Sequence, residues 1–388
     1  MTVFKNVKVI FPDKIRDCTV SVRDGKIVSV SERADVGAGD TVIDGNGRYL
    51  SPGFVDIHVH GGGGKSAMSK NPDDIVAMCE AHLGYGTTSM LPTTLASKLP
   101  VLIEAVGTIK CASERSKKSN ILGVHLEGPY ISREYRGAQQ LDNILVPTVD
   151  SPKELLSAWK GIRMMGAAPE IDGGLPLGRA ITEAGAVASI AHSGASFETA
   201  EEAVNYGYSD VTHIYSACSS CYKVNLFRVG GVVEAGLALD GLTAQAIADL
   251  RHLPAGILRL IYKCKGAEKM ILITDGLEFS ASEIAEGTVL PQENGVDAVY
   301  EDGVMKLKDY SALAGSVATS SRLVRNMYKT VQVPLYDAVR MASLTPAERI
   351  GFGGCKGKIG IGCDADLIMF DENIDVSFVM TNGNIIKK

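Results

Sequence analysis

Two histidines one residue apart, His58 and His60, close an apolar run in PGFVDIHVHGGGG. Residues two apart on a strand face the same side, so the pair would present two imidazoles together. Other short apolar runs end in residues of similar chemistry: ILGVHLEG in His125 and Glu127, AVASIAHSG in His192, DVTHIYSA in His213, TAQAIADLRHL in His252 and MILITDG in Asp275. A lone histidine on an apolar strand is usually a hydrogen-bonded core residue. The same placement on five runs points instead to one shared site. Of the 7 histidines only His82, inside a helix-like segment, falls elsewhere.

Imidazoles and a carboxylate suit a divalent ion such as zinc or ferrous iron, and a catalytic site leaves one coordination position open. Such an ion lowers the pKa of water toward neutrality and polarises a carbonyl under attack. A carboxylate must then take the water's proton and pass it to a leaving amine. Asp275, between ILIT and Gly276, is placed for that task. Standing alone, it would read as a turn or helix-cap aspartate.

These residues need elements to carry them. The runs GFVDIHVH, TTSMLPTT, ILGVHLEG, IRMMGAAPE, AVASIAHSG, DVTHIYSA, TAQAIADLRHL and MILITDG alternate with helix-like stretches such as DDIVAMCEAHLGYG and LPAGILRLIYKCKG. That arithmetic predicts an α/β fold, a (β/α)8 TIM barrel, whose strands deliver chemistry at their C-terminal ends. A doubly wound open sheet is the runner-up, weakened because no Gly-x-Gly-x-x-Gly follows a first strand. The two chain ends instead alternate apolar and polar residues, with Asp24-Gly25 and Asn382-Gly383 as hairpin signals. The pattern predicts that 1–51 and 350–388 pair into one small sheet domain around a barrel spanning 52–349.

Hydrophobic residues make up 45% of the 388-residue chain and charged ones 22%, with a net charge of −6. This lacks the basic footprint of a nucleic-acid or anionic-membrane binder. No apolar run approaches the roughly 20 residues of a spanning helix, and MTVFKNVKVIF lacks the layout of a signal peptide. Scattered cysteines (18, 79, 111, 218, 221, 264, 355, 363) suit free thiols. The expected compartment is the cytoplasm.

In PGFVDIHVHGG, GVHLEGPYIS, AHSGA, DVTHIYSA, IADLRH, LITDG and LAGSVAT, in that order, the chain resembles the amidohydrolase superfamily. Within it, the resemblance is to the N-acetylglucosamine-6-phosphate deacetylases, and it covers nearly the whole chain. HLEGP is its most specific part, since many amidohydrolases place a carboxylated lysine where this chain has Glu127. The resemblance implies a barrel with a small β-sandwich domain built from both termini, and removal of acetate from an N-acetyl amino sugar 6-phosphate. It also implies Glu127, His192 and His213 as main metal ligands and His58 and His60 as the pair completing a second site, hence one or two ions. Asp275 would be the catalytic acid/base and His252 a substrate contact. Arg228, in NLFRVGG, would hold phosphate across a homodimer interface. Ala138, Ala217, Leu313 and Ala314 would be further substrate contacts, largely through backbone.

Departures from the family cluster on substrate recognition. Gln139 stands where a histidine is usual, and its amide can donate a hydrogen bond but not carry an imidazolium charge. Ser216 replaces an asparagine, and Glu278 adds a negative charge beyond Asp275. The rival readings are an N-acetylgalactosamine-6-phosphate deacetylase, a cyclic-amide hydrolase of the dihydroorotase or hydantoinase kind, and a non-catalytic binder of amino sugar phosphates. The glycines 61–64 lack nucleotide-loop spacing and read as a flexible turn that lets the backbone pass close to the metal site. Cys218-x-x-Cys221 has no second pair and reads as incidental.

Overall fold

The computed structural model describes residues 1–33, 36–148, 150–291 and 297–387. Each of the apolar runs forms a strand: Phe54–Val59, Thr87–Thr94, Val124–Glu127, Ile162–Ala167, Val187–Ile190, Tyr208–Val211, Thr243–Ala246 and Met270–Leu272. Each pairs in parallel with the next around a nearly closed barrel. Every residue of the first two strands is buried, because helices cover the outside and side chains fill the inside. Such strands read as continuous apolar runs rather than alternating ones.

Closure between the last and first strands happens at the rim. There a single parallel bridge joins Val59 to Gly276. The Asp275 N–H donates to the His58 carbonyl at 2.9 Å, and the His60 N–H to the Gly276 carbonyl at 2.8 Å. One layer below, the buried Asp56 carboxylate accepts from the Thr274 hydroxyl, a side chain spanning where a backbone ladder is thin. The barrel floor is filled by Val55, Ile57, Leu91, Met164, Ile247, Ile271 and Ile273.

Helices return the chain between strands. Pro72–Leu83 starts at an Asn71 cap that accepts from the Asp73 N–H, and Phe197–Asn205 starts at a Ser196 cap. Two insertions interrupt this rhythm. An exposed hairpin, Tyr222–Val224 with Phe227–Val229, follows the sixth barrel strand. Val289–Leu290, Ala298–Glu301 and Val304–Leu307 form a small antiparallel sheet after the eighth. Its turn, Asp302-Gly303, has φ of 56° and 77°, and the Asp-Gly signal stands in YEDGV.

Both termini enter one separate eight-stranded sheet. Tyr49–Pro52 pairs in parallel with Thr2–Ile10 and antiparallel with Leu367–Phe370, so N- and C-terminal strands interleave. This sheet has its own core, including Phe4, Val20, Leu50, Leu367 and Phe378. Its two expected hairpins turn at Asp24-Gly25 (φ 49° and 76°) and Asn382-Gly383 (φ 47° and 79°). The turns press together so closely that a Cβ on Gly383 would lie 2.8 Å from Gly25 Cα. Among the described residues, no helix is long and apolar enough to cross a membrane.

Candidate active site

The Glu127 carboxylate, at the end of the third barrel strand, is the hub. Its Oε1 lies 2.8 Å from His213 Nε2, 3.1 Å from His192 Nε2 and 3.4 Å from His58 Nε2. Its Oε2 lies 3.3 Å from His60 Nε2 and accepts from Gln139 Nε2 at 2.7 Å. Asp275 Oδ1 completes the ring, 3.2 Å from His60 Nε2 and 3.5 Å from His58 Nε2. Two overlapping trios, His58/Glu127/His213 and His58/His60/Asp275, keep their ligand atoms within 4.8 Å of one another.

The far side of each ring explains why these nitrogens can bind a cation. Nδ1 of His60 faces the Thr93 carbonyl at 3.0 Å, that of His192 the Tyr135 carbonyl at 2.9 Å, and that of His213 the Ser216 carbonyl at 3.1 Å. Nδ1 of His58 faces the Gln245 side-chain oxygen at 3.4 Å. A carbonyl oxygen only accepts, so each Nδ1 carries a proton and each Nε2 is the nitrogen turned toward an ion. The site fits a divalent metal on this ground.

Electrostatics point the same way. Burial opposes charge on His60, yet the hydrogen bonds to Asp275 and Glu127 raise it to about 10, so without an ion a proton stands at the Nε2 position that an ion would take. Burial also disfavours the Asp275 carboxylate, but His60 and His58 hold it down to about 2. Glu127, despite burial, is held well below the usual carboxylate range by His58 and His192. Two ionised carboxylates in a buried space call for positive charge between them. Backbone geometry is strained at the same places: φ is 46° at His192, 27° at His213 and 48° at Asp275. Such non-glycine conformations cost about 1–3 kcal/mol each and here turn side chains inward just past the strand ends.

Above the ring opens a cavity of about 460 Å³. His60, Glu127, His192, His213 and Asp275 form its floor, and His58 is buried beneath them. The predicted contacts Ala138, Gln139, Ser216, Ala217, His252, Leu313 and Ala314 all line it. Gln139 is fixed in orientation, since its Oε1 accepts from the Ala96 N–H at 3.0 Å while its amide nitrogen serves Glu127. Arg228 is not brought in: it sits on the exposed hairpin, within 4.0 Å of Cys221 Sγ. Among the described residues, no lysine or arginine lines the cavity.

Sequence reasoning missed several members. Glu134, Tyr135, Tyr215 and Leu277 also line the cavity. Asp249 holds His252 Nδ1 at 2.8 Å and accepts from the backbone N–H groups of Arg251 and His252. Burial would raise Asp249, but His252 keeps it below the usual range. The spacing D-x-x-H in IADLRH carried that signal. His125, by contrast, does not join the site. It is fully buried inside the barrel, bonded through Nδ1 to the Ile57 carbonyl at 3.0 Å.

The glycine run forms a close-packed turn. Gly61–Gly62 pairs with Lys65–Ser66 as a fixed hairpin, tied by Gly63 and Gly64 N–H groups to the Ser280 and Glu278 carbonyls. A Cβ on Gly61 would sit 2.4 Å from the Glu278 nitrogen, and one on Gly62 2.4 Å from His82 Nε2. Close approach of the backbone demands glycine there. Cys218 and Cys221 are both free thiols, with Cys218 pushed up to about 12 by burial.

A model of the amidohydrolase family matches residues 49–387. The N-acetylglucosamine-6-phosphate deacetylase of Lysinibacillus sphaericus is 32% identical over 376 residues, covering 94% of this chain and 92% of that protein. The crystal structure of N-acetylglucosamine-6-phosphate deacetylase from Pasteurella multocida superposes with a TM-score of 0.92 at 28% identity, over 100% of both chains. A mutant of the Mycobacterium smegmatis enzyme, in complex with N-acetyl-D-glucosamine-6-phosphate, superposes with a TM-score of 0.90 at 26% identity, over 100% of this chain and 99% of that one. Fold, site and comparisons agree, and the chain belongs to the amidohydrolase family, in its N-acetylglucosamine-6-phosphate deacetylase branch.

Proposed function

We propose that this protein hydrolyses the acetamide of an N-acetylhexosamine 6-phosphate, N-acetylglucosamine-6-phosphate first among them, to acetate and the amino sugar phosphate. The observation that carries the reading is the convergence of four imidazole Nε2 atoms and two carboxylates at the floor of one cavity. Glu127, His192 and His213 would hold one divalent ion and His58 and His60 complete a second position, with zinc or ferrous iron as the ion. When bound, such an ion supplies Lewis-acid polarisation of the amide carbonyl and acidifies water beside it.

The chain's own groups do the rest. Asp275, ionised and facing the ring, takes a proton from the attacking water and returns it to the sugar nitrogen as the C–N bond breaks. His252, oriented by Asp249, presents Nε2 to the bound sugar. Ala138, Ala217, Leu313 and Ala314 shape the walls, and Gln139 and Ser216 set which sugar is preferred. A phosphate in this cavity needs a cation that its described lining residues lack, and Arg228 from a second copy would provide it. The exposed apolar tip beside it, Leu226 (90% exposed) and Phe227 (77%), supports a homodimer. Residues 1–51 with 350–388 would form the supporting domain and 52–349 the catalytic barrel, acting in the cytoplasm on a small molecule.

The test is acetate release from N-acetylglucosamine-6-phosphate, N-acetylgalactosamine-6-phosphate and both unphosphorylated sugars, using metal-quantified protein. Turnover of one phosphosugar that is lost on chelation is expected. Metal-loaded protein that releases no acetate from any of the four would overturn the reading.

A further inference from the structure

Below the ring of ligand atoms lies a buried polar layer that the reaction itself does not use. Asp210, on the sixth barrel strand, is fully buried. Its Oδ2 accepts from Ser189 Oγ at 2.7 Å and from Gln245 Nε2 at 2.6 Å, and its Oδ1 from the Thr243 hydroxyl. Gln245, on the seventh strand, is also fully buried, and its other end faces His58 Nδ1.

The orientation of the Gln245 amide follows from chemistry. A carboxylate cannot donate, so the amide nitrogen must face Asp210 and the amide oxygen must face His58. Reversing the amide would bury two acceptors against each other and leave the NH2 group against a ring donor, at a cost on the scale of an unsatisfied buried group. With only an acceptor at Nδ1, His58 keeps its proton there and offers the Nε2 lone pair to the site. The 3.4 Å separation from His58 is long for a hydrogen bond, so the assignment rests on the short Asp210 contact. The other three ring histidines take this tautomer from backbone carbonyls. His58 alone takes it from a side chain, and that side chain is itself held by another.

We propose that Asp210 and Gln245 are positioning residues that fix the tautomer and ring orientation of His58, and so set the affinity of the His58–His60–Asp275 part of the site for its ion. The inference rests on the metal-site reading above but not on the identity of the sugar, and its readout is metal binding rather than acetate release.

Gln245→Met keeps the volume and removes both hydrogen-bonding ends. Zinc affinity, measured by chelator competition, should fall roughly 10- to 100-fold, the usual range for losing a partner of a ligating histidine. Asp210→Asn, whose amide oxygen can still accept from Gln245, should stay within about threefold of wild type. In a double-mutant cycle Gln245→Met should add little to the loss caused by His58→Ala, because both act on one ligand. Unchanged affinity in Gln245→Met, or losses that simply add, would overturn the proposal. The wild-type protein decides independently of whether that variant folds. In 15N-histidine spectra, with His58 assigned by its disappearance in His58→Ala, a proton on Nδ1 is expected and a proton on Nε2 sinks the idea.

Discussion

Asp275 has two bonds to the chemistry: its carboxylate faces His58 and His60, and its backbone N–H closes the barrel. Replacing only the side-chain charge separates them. Asp275→Asn should lower kcat roughly 10²- to 10⁴-fold, the range for a general acid–base group, while the ion at Glu127, His192 and His213 and thermal unfolding stay near wild type. A non-catalytic binder would show no such loss, because it has no turnover to lose. At this scale the residues of the ring were legible because each stands at or just past the end of an apolar run, although His125 shares that placement and stays out of the ring. Gln245 was not legible as a partner. It is one polar residue whose meaning lies in a neighbour brought close by folding, and it lies within its strand, not at the end.

The eight barrel strands were legible for a related reason: burial on both faces leaves continuous apolar runs that stand out between helices. Less visible was the joint between the barrel and the terminal sheet. Lys356, 6% exposed, bonds Asp366 at 2.6 Å and Asp364 at 2.9 Å, and Asp366 accepts from Asn120 beside the barrel at 3.1 Å. Burial would lower Lys356, but the two aspartates raise it above its ordinary 10.5. Its stabilisation is therefore complete below that value and fades as pH rises through the folded-state value. Asp364 runs the other way: burial raises it, Lys26 and Lys356 more than reverse this, and its share holds above the ordinary 3.8 and fades below. Lys356→Met should cost about 3–5 kcal/mol near neutrality, since it leaves the Asp366 carboxylate buried without a cation and Asp364 with Lys26 alone. Urea unfolding at pH 7 and pH 4 measures this. The gap should narrow at pH 4, where Asp364 of the variant can take a proton, and an equal gap at both would count against the joint.

For the whole molecule, the sequence conveyed the barrel and the union of the two termini, because hairpin signals and alternation mark a sheet edge to edge. It could not convey that the cavity of one chain contains no lysine or arginine among its described lining residues. That makes Arg228, outside the lining of its own chain's cavity, the natural place to test assembly. Arg228→Ala should raise KM for a phosphorylated substrate at least tenfold while leaving an unphosphorylated analogue nearly unchanged; equal effects on both would remove the phosphate role. Tenfold corresponds to about 1.4 kcal/mol, modest for a charge-assisted hydrogen bond.

The seam between first and eighth strands has one further consequence. The groups that would grip an ion, His58, His60 and Asp275, are also the groups whose backbones join the two strand ends. An ion seated there acts as a rivet through the last stave of the barrel. Occupancy and mechanical integrity then become one property: zinc should slow amide exchange at His60 and Asp275 more than at the opposite side of the barrel, and chelation should loosen the wall at the point where the substrate rests.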